Sequence, residues 1–258
     1  MKLLIKKIAN SEIGILLRNS INFKPVYIKH SELDSPVSIS DAFLWRTDNG
    51  YKTKFKYSDI LALFYKVKNS RIEIQFYTKN NELIKIEKIS SVSLSNELEI
   101  TSSFLNNIED YGVFYIYHYT DKNNLLKSTD IISNRCYVGY SKNDQMYSFI
   151  HGNTLARYKT ITSKKEIFTD LVKTSLFKNY IYTIQKFFNG FDKNEFFFIN
   201  PTSKTVKFII ENKRYILKPG CATLLKININ IISIRSNCLF LRPTIFSYKG
   251  GYLDVHHS

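Results

Sequence analysis

Alternation of polar and apolar residues over short segments is the feature of this sequence that most limits its fold. It runs through Arg71–Tyr77 and Leu83–Ile89, which are separated by the turn-like segment Lys79–Glu82. Such alternation places every second side chain on one face of a strand, so the pair predicts a half-buried β-hairpin. Further strands are predicted by runs of β-branched and aromatic residues at Val113–Tyr119, Arg135–Tyr140, Tyr147–Ile150, Tyr182–Gln185, Phe196–Ile199, Val206–Ile210, Tyr215–Leu217 and Ala222–Ile227.

Many short strands at this spacing are typical of antiparallel sandwiches and barrels. The segment Glu195–Ile227, an apolar strand, the turn opener Asn200-Pro201 and an alternating strand, resembles small immunoglobulin-like or jelly-roll-like sandwiches. Ser163–Phe177 has apolar residues near helical spacing and a capping-box pattern at its start. The sequence therefore predicts a mainly β protein with two antiparallel β-sandwich domains joined by a short helical connector. The predicted bounds are 1–158 for the N-terminal sandwich, 159–178 for the connector and 179–258 for a basic C-terminal sandwich.

The two predicted domains also share an order of elements. Tyr51–Ile89 and Tyr180–Ile227 each run through a strand, an apolar strand, a turn, an alternating strand, a turn and a last strand. In this comparison Leu61–Tyr65 is the counterpart of Phe196–Ile199, although Asp59–Tyr65 by itself also fits a helical turn. The sequence thus suggests tandem domains built on one plan.

The net charge is strongly positive and unevenly distributed. The chain has 37 Lys and Arg against 22 Asp and Glu, a formal charge of +15. Residues 151–258 carry 17 basic and 6 acidic residues and hold most of the excess. A basic surface for an anionic partner is one explanation. The other is codon bias, because Lys outnumbers Arg by 29 to 8 and residues with A/T-rich codons are frequent.

The cysteines and the chain start bear on the compartment. Cys136, Cys221 and Cys238 are odd in number and far apart, which argues against a disulfide framework and for a reducing compartment. Glu12 and Arg18 interrupt the first segment, so it does not match a signal peptide, and no apolar run is long enough to span a membrane. We expect a cytoplasmic protein without a cofactor.

Two short segments carry the residues that we expect to bind a ligand. Trp45 and Arg46 precede the turn Asp48-Asn49-Gly50, and a Trp beside an Arg can stack on a sugar ring and bind its polar edge. His151 and Asn153 flank a glycine in a turn, and Arg157 follows closely. A core Trp and an ordinary glycine turn are the simpler alternatives. The leading hypothesis is a non-enzymatic binding or assembly module, recognising a carbohydrate or an anionic glycan through these five residues.

Two alternatives stay open. No hydrolase, dinucleotide or phosphate-loop motif is present, so an enzyme would need residues from distant segments. A metal-dependent enzyme would use His118, His151, Asp254 and His256, of which Asp254 and His256 share a strand face. A nucleic-acid-binding protein, a less favoured hypothesis, would use the basic C-terminal domain, where Lys178–Phe188 interleaves basic and aromatic residues. Exposed sheet edges also allow a homo-oligomer.

Overall fold

The structure is a computed structural model. It describes residues 2–9, 11, 13–14, 17, 36–90, 93–120, 126–133, 136–152, 155–160, 169–170, 172, 174–184, 190–227, 232–239 and 241–257. Strands dominate these residues, which confirms the prediction of a mainly β protein. The helices with both bounds among the described residues are α1 (Lys2–Ala9) and α2 (Ile60–Tyr65), with single 3-10 turns at Asp48–Gly50 and Ser103–Leu105.

The strands pair into five four-stranded sheets, which we name A to E. Sheet A contains, in spatial order, β12 (Thr169–Asp170), β11 (Leu155–Thr160), β1 (Val37–Asp41) and β8 (Ile131–Ser133). Sheet B contains β2 (Phe43–Arg46), β7 (Tyr111–Thr120), β4 (Ser70–Thr78) and β5 (Leu83–Ile89). Sheet C contains β10 (Ser148–His151), β9 (Tyr137–Lys142), β3 (Tyr51–Tyr57) and β6 (Asn96–Ile100).

Sheet D contains β17 (Ala222–Lys226), β14 (Lys193–Ile199), β19 (Thr244–Lys249) and β20 (Tyr252–His257). Sheet E contains β13 (Tyr180–Ile184), β18 (Ile232–Ser236), β15 (Val206–Ile210) and β16 (Lys213–Leu217). Neighbouring strands within these sheets are antiparallel, except that β1 and β8 are parallel.

The central strands of two sheets are buried on both faces. Phe197 of β14 packs in a core with sheets B and C, whereas the adjacent Phe196 and Phe198 pack in a second core with sheet E. Phe246 of sheet D meets the ring of Tyr140 in sheet C at a centroid distance of 4.9 Å. Nearly all of β7 is likewise buried. Each of these sheets therefore has a neighbour on either side.

The prediction of two sandwich domains with a helical connector is wrong. A sandwich buries one face of each sheet and leaves the other to solvent, whereas the central strands β7 of sheet B and β14 of sheet D are covered on both faces. The small four-stranded sheets have a propeller-like arrangement instead. In the described part of the predicted connector, Thr169–Asp170 is a strand paired with β11, and Thr174 bridges Cys238. Pairing with distant strands outweighs the weak helical spacing of this segment.

The proposed internal repeat also fails. Its first apolar strand is the helix α2, capped by the Asp59 carboxylate, which accepts a hydrogen bond from the Ala62 amide at 3.0 Å. Lys66 ends the helix in the left-handed conformation. The corresponding segment Phe196–Ile199 is a central strand.

Among the described residues, none of the helices has the length and apolar character needed to cross a bilayer.

Candidate functional site

Trp45 is a core residue in this structure. Its side chain has no solvent exposure, and its indole Nε1 donates a hydrogen bond to the Tyr77 carbonyl at 2.8 Å. The ring packs against Gly112, where an added Cβ would lie 2.7 Å from the indole. The expectation that Trp45 stacks on a sugar is therefore corrected, because both faces of its ring are covered.

Arg46 is also buried, at the centre of a group of charged and tyrosine side chains. Its Nη1 donates to Glu195 Oε2 at 2.7 Å, and its Nε donates to Asp48 Oδ1 at 2.8 Å. The guanidinium lies 4.0 Å from the ring centroid of Tyr51. Tyr248 donates to Glu195 Oε2 at 2.6 Å and makes a short hydrogen bond with Tyr51. We call Arg46, Asp48, Tyr51, Glu195 and Tyr248 the Arg46 cluster.

The Arg46 cluster holds Arg46 and Glu195 in their charged forms. Burial alone would raise the pKa of Glu195, but the Arg46 charge and the hydrogen bonds from Lys193, Tyr248 and Arg46 lower it to about 2. Burial alone would lower the pKa of Arg46, but the hydrogen bond to Asp48 and nearby charges raise it. Arg46 is paired with two carboxylates, Asp48 and Glu195, and Lys193 also pairs with Glu195. Arg46 therefore joins sheets B and D and is not available to a ligand.

The other three predicted ligand residues do not join Trp45 and Arg46. His151 ends β10 in sheet C and is exposed, with its ring centroid 4.8 Å from that of His257. Arg157 lies on β11 of sheet A, where its backbone pairs with Ser40 and Asp170. Asn153 lies outside the described residues. Of the predicted ligand residues whose side chains are described, only His151 is at the surface.

The predicted metal ligands do not converge either. His118 is fully buried in β7, and burial lowers its pKa to about 4. Asp254 and His256 lie on one face of β20, as predicted, with His256 Nδ1 3.1 Å from Asp254 Oδ2. His151 contacts His257, which points to the opposite face of that strand. Within the described ranges, no group of three His, Cys, Asp or Glu side chains is arranged to hold a metal ion.

The outward side of sheet C carries aromatic rings at the surface. Phe149 pairs across the sheet with Gly139, where a Cβ would lie 2.5 Å from the Phe149 ring. The missing side chain lets this ring lie flat on the sheet while 39% of the residue stays exposed. Tyr137, which pairs with His151 in the next row, is 56% exposed. Tyr147 lies beside Phe149 at a centroid distance of 5.9 Å.

Polar groups surround these rings. Lys54 Nζ lies 4.8 Å from the Tyr147 ring centroid, and Lys56 Nζ lies 4.8 Å from that of Phe149. Both ammonium groups pair with Glu97, at 2.7 Å and 3.5 Å. The hydrogen bond from Lys54 is the main reason that the pKa of Glu97 is lowered. We call Tyr137, Tyr147, Phe149, Lys54 and Lys56 the aromatic face.

Sequence reasoning missed the aromatic face, although a signal was present. Lys52, Lys54 and Lys56 alternate with the buried residues of β3, which marks a solvent-facing row of lysines. The pattern Tyr147-Ser-Phe149-Ile-His151 places two aromatic rings and an imidazole on one side of a strand. The outward side chains of β9, β3 and β10 form one surface only because of the register in which these strands pair. Local sequence patterns do not determine that register.

A second surface feature is a groove of about 340 Å³ on sheet E. Its lining includes Lys207, Arg214 and Arg235, with Ile209 and Ile216 between them. No ion pair involving these three cations is present among the described residues.

Neither a protein-family model nor a curated protein matches this chain. Its function has to be inferred from these surfaces.

Proposed function

We propose that the protein is a non-enzymatic binding module that holds a carbohydrate on the aromatic face of sheet C. The observation that carries this proposal is the Phe149 ring, which lies flat over Gly139 with part of its surface open to solvent. Sugar rings present apolar C–H faces, and an exposed aromatic ring in a fixed orientation is suited to bind them.

The polar groups on this face suit the edge of a sugar. Lys54 and Lys56 offer hydrogen-bond donors, and the carboxylates of Glu97 and Glu99 offer acceptors. Tyr147 already donates to Glu99 Oε1 at 2.9 Å, which fixes its ring beside Phe149. Because the charges of Lys54 and Lys56 are balanced by those of Glu97 and Glu99 on the neighbouring strand, this face favours a ligand with many hydroxyl groups over a highly charged one.

The experiment is a glycan-array screen followed by calorimetric titration of the best ligand. Phe149→Ala combined with Tyr137→Ala should abolish binding, because both exposed rings of the face are removed. Phe177→Ala and Tyr252→Ala are matched controls, since these rings are 83% and 78% exposed on other surfaces. Thermal unfolding of every variant checks the fold. The proposal is wrong if no glycan binds, or if the double variant binds as well as the wild type.

No observation favours the metal-dependent enzyme, since of the four residues expected for it only Asp254 and His256 lie together. We further propose a cytoplasmic location, which the chemistry of the cysteines supports. Cys136, Cys221 and Cys238 are free thiols. Burial raises the pKa of Cys136 well above its ordinary value and that of Cys238 to about 12, so both stay protonated. Fractionation of cells that express the tagged protein tests this location.

A further inference from the structure

The outward side of sheet E combines cations with exposed isoleucines. One row across the sheet runs Ile181, Arg235, Ile209 and Arg214, as the strand register requires. The next row pairs Lys207 with Ile216. Adjacent strands lie about 4.8 Å apart, so Arg235 and Arg214 are separated by about 10 Å at the backbone. We call these six residues the basic face.

The charge around the basic face is almost entirely positive. The segments 174–184, 204–218 and 232–239 contain seven Lys and Arg residues, and Glu211 is the only acidic residue in them. On the aromatic face, by contrast, the lysines have carboxylate partners. The basic face therefore attracts anions at its surface.

An apolar loop borders this face. The Ser175 amide donates to the Asn237 carbonyl at 2.7 Å, whereas Tyr180 pairs with Ser236, so the residues between them bulge out of the sheet. The Ser175 hydroxyl accepts from the Lys178 amide at 2.9 Å, which holds the loop in shape. Asn179, at its end, lines the groove on the basic face.

The bulged loop presents large apolar side chains to solvent. Leu176 and Phe177 are 63% and 83% exposed, and Ile181 and Ile216 on the adjoining sheet are 64% and 69% exposed. Exposed apolar residues that form a group with surrounding cations mark a surface that contacts a partner. A purely ionic partner would use the cations but would leave these apolar side chains in water.

We propose that the basic face and the 175–179 loop dock the protein on an anionic lipid bilayer. The headgroup phosphates and carboxylates form ion pairs with Lys207, Arg214 and Arg235. The interface between the headgroups and the acyl chains takes up the side chains of Leu176 and Phe177. Single-stranded nucleic acid fits less well, because stacking of successive bases requires several exposed aromatic rings, whereas this surface exposes mainly isoleucine and leucine side chains together with Phe177.

The test is co-sedimentation with vesicles of phosphatidylcholine alone or with about one-third phosphatidylserine. The wild type should sediment with the anionic vesicles and stay in solution with the neutral ones. Arg214→Glu combined with Arg235→Glu should reduce binding by about tenfold or more. Lys68→Glu is the control, because Lys68 is an exposed cation outside this face. Unchanged binding by the double variant would overturn the proposal.

Two further measurements distinguish insertion of the 175–179 loop into the bilayer from electrostatic attraction alone. Phe177→Ala should weaken vesicle binding while leaving glycan binding intact. Phe177→Trp should shift its fluorescence to shorter wavelength on anionic vesicles, since the native Trp45 is buried and acts as a constant background. Absence of this shift would overturn insertion of the loop.

Binding assays with single-stranded oligonucleotides test the main alternative, in which the basic face binds nucleic acid. Binding of single-stranded DNA without binding of anionic vesicles would assign the basic face to nucleic acid and overturn the lipid proposal. Binding of neither would overturn both. These vesicles carry no sugar headgroups, so failure of the lipid proposal and failure of the carbohydrate proposal are separate results.

Discussion

Arg46 and Arg235 place the same side chain in opposite environments. Arg46 is 3% exposed, and its guanidinium is held by Asp48, Glu195 and the ring of Tyr51. Arg235 is exposed on sheet E and has no ion pair among the described residues. The first arginine joins two sheets, and the second remains available to a ligand. Burial and ion pairing therefore distinguish cations that stabilise the fold from cations that can bind a partner.

This difference locates the functional part of the net charge. Arg46 and Lys193 pair with the carboxylates of Asp48 and Glu195, and Lys54 and Lys56 share Glu97 on the aromatic face. The cations of the basic face have no such partners in the described chain. A formal charge of +15 thus contains paired charges that stabilise the fold and a local excess that can attract an anion.

The largest expected effect is the difference in the free energy of unfolding between a variant that loses a buried arginine and one that loses an exposed arginine. Arg46→Ala should lower the free energy of unfolding by about 3–5 kcal/mol, because it leaves the Glu195 carboxylate buried without its partner. Arg214→Ala should change it by no more than about 0.5 kcal/mol, since its side chain is exposed. Urea unfolding measures both values. Similar values for the two variants would remove the distinction between the two environments.

The next effect is the acid dependence of stability. The pKa of Glu195 is about 2 in the fold and about 4.5 as an ordinary carboxyl, so its stabilising contribution is present above about pH 4.5. Stability is lost as the pH falls from about 4.5 toward 2, because in this range the unfolded state binds a proton at this carboxyl and the folded state does not. Glu195→Gln lacks this titration. The stability difference between wild type and variant should therefore shrink by about 1–3 kcal/mol between pH 5 and pH 2.

Urea unfolding at several pH values across that window provides the measurement. Glu97→Gln is a matched control, because the pKa of Glu97 is also lowered but its carboxylate is exposed to solvent. A difference for Glu195→Gln that stays constant with pH would show that Arg46 does not hold this carboxylate as described.

The strands were predictable because alternation is a local property of the chain. The predicted segments Leu83–Ile89 and Val206–Ile210 coincide with β5 and β15. Alternation indicates which side chains share a face, but it does not identify what covers that face. The central strand β14 has the run Phe196-Phe197-Phe198, and the same run fits a sandwich strand or a strand covered on both sides.

The candidate sites were harder to predict for a related reason. Trp45 and Arg46 look like a surface pair when only their neighbours in sequence are considered. The residue that neutralises Arg46 is Glu195, which lies 149 positions away. The aromatic face likewise depends on the register that places Phe149 opposite Gly139. Contacts of this kind are set by tertiary structure, so local sequence patterns do not contain them.

Salt should distinguish the paired cations from the unpaired ones. Raising the ionic strength from about 0.05 M to about 0.5 M should weaken binding to anionic vesicles by about tenfold, because exposed charges are screened. The urea midpoint should change little, since the Arg46 cluster is buried. Co-sedimentation and urea unfolding in the same buffers measure the two effects. A flat salt dependence of vesicle binding would contradict the role given to Lys207, Arg214 and Arg235.

The smallest expected effect concerns the flat ring on the aromatic face. Gly139→Ala would place a Cβ 2.5 Å from the Phe149 ring, so the ring has to tilt away from the sheet. Glycan affinity should fall by a few fold, about 1 kcal/mol or less, because one stacking surface is misaligned while Tyr137 remains. Vesicle binding should not change, since Gly139 lies in sheet C and the basic face lies in sheet E. Titration of the best glycan into both proteins measures the change, with Phe149→Leu as the variant that removes the ring but keeps an apolar side chain. Equal glycan affinities for wild type and Gly139→Ala would mean that the orientation of Phe149 does not govern binding on this face.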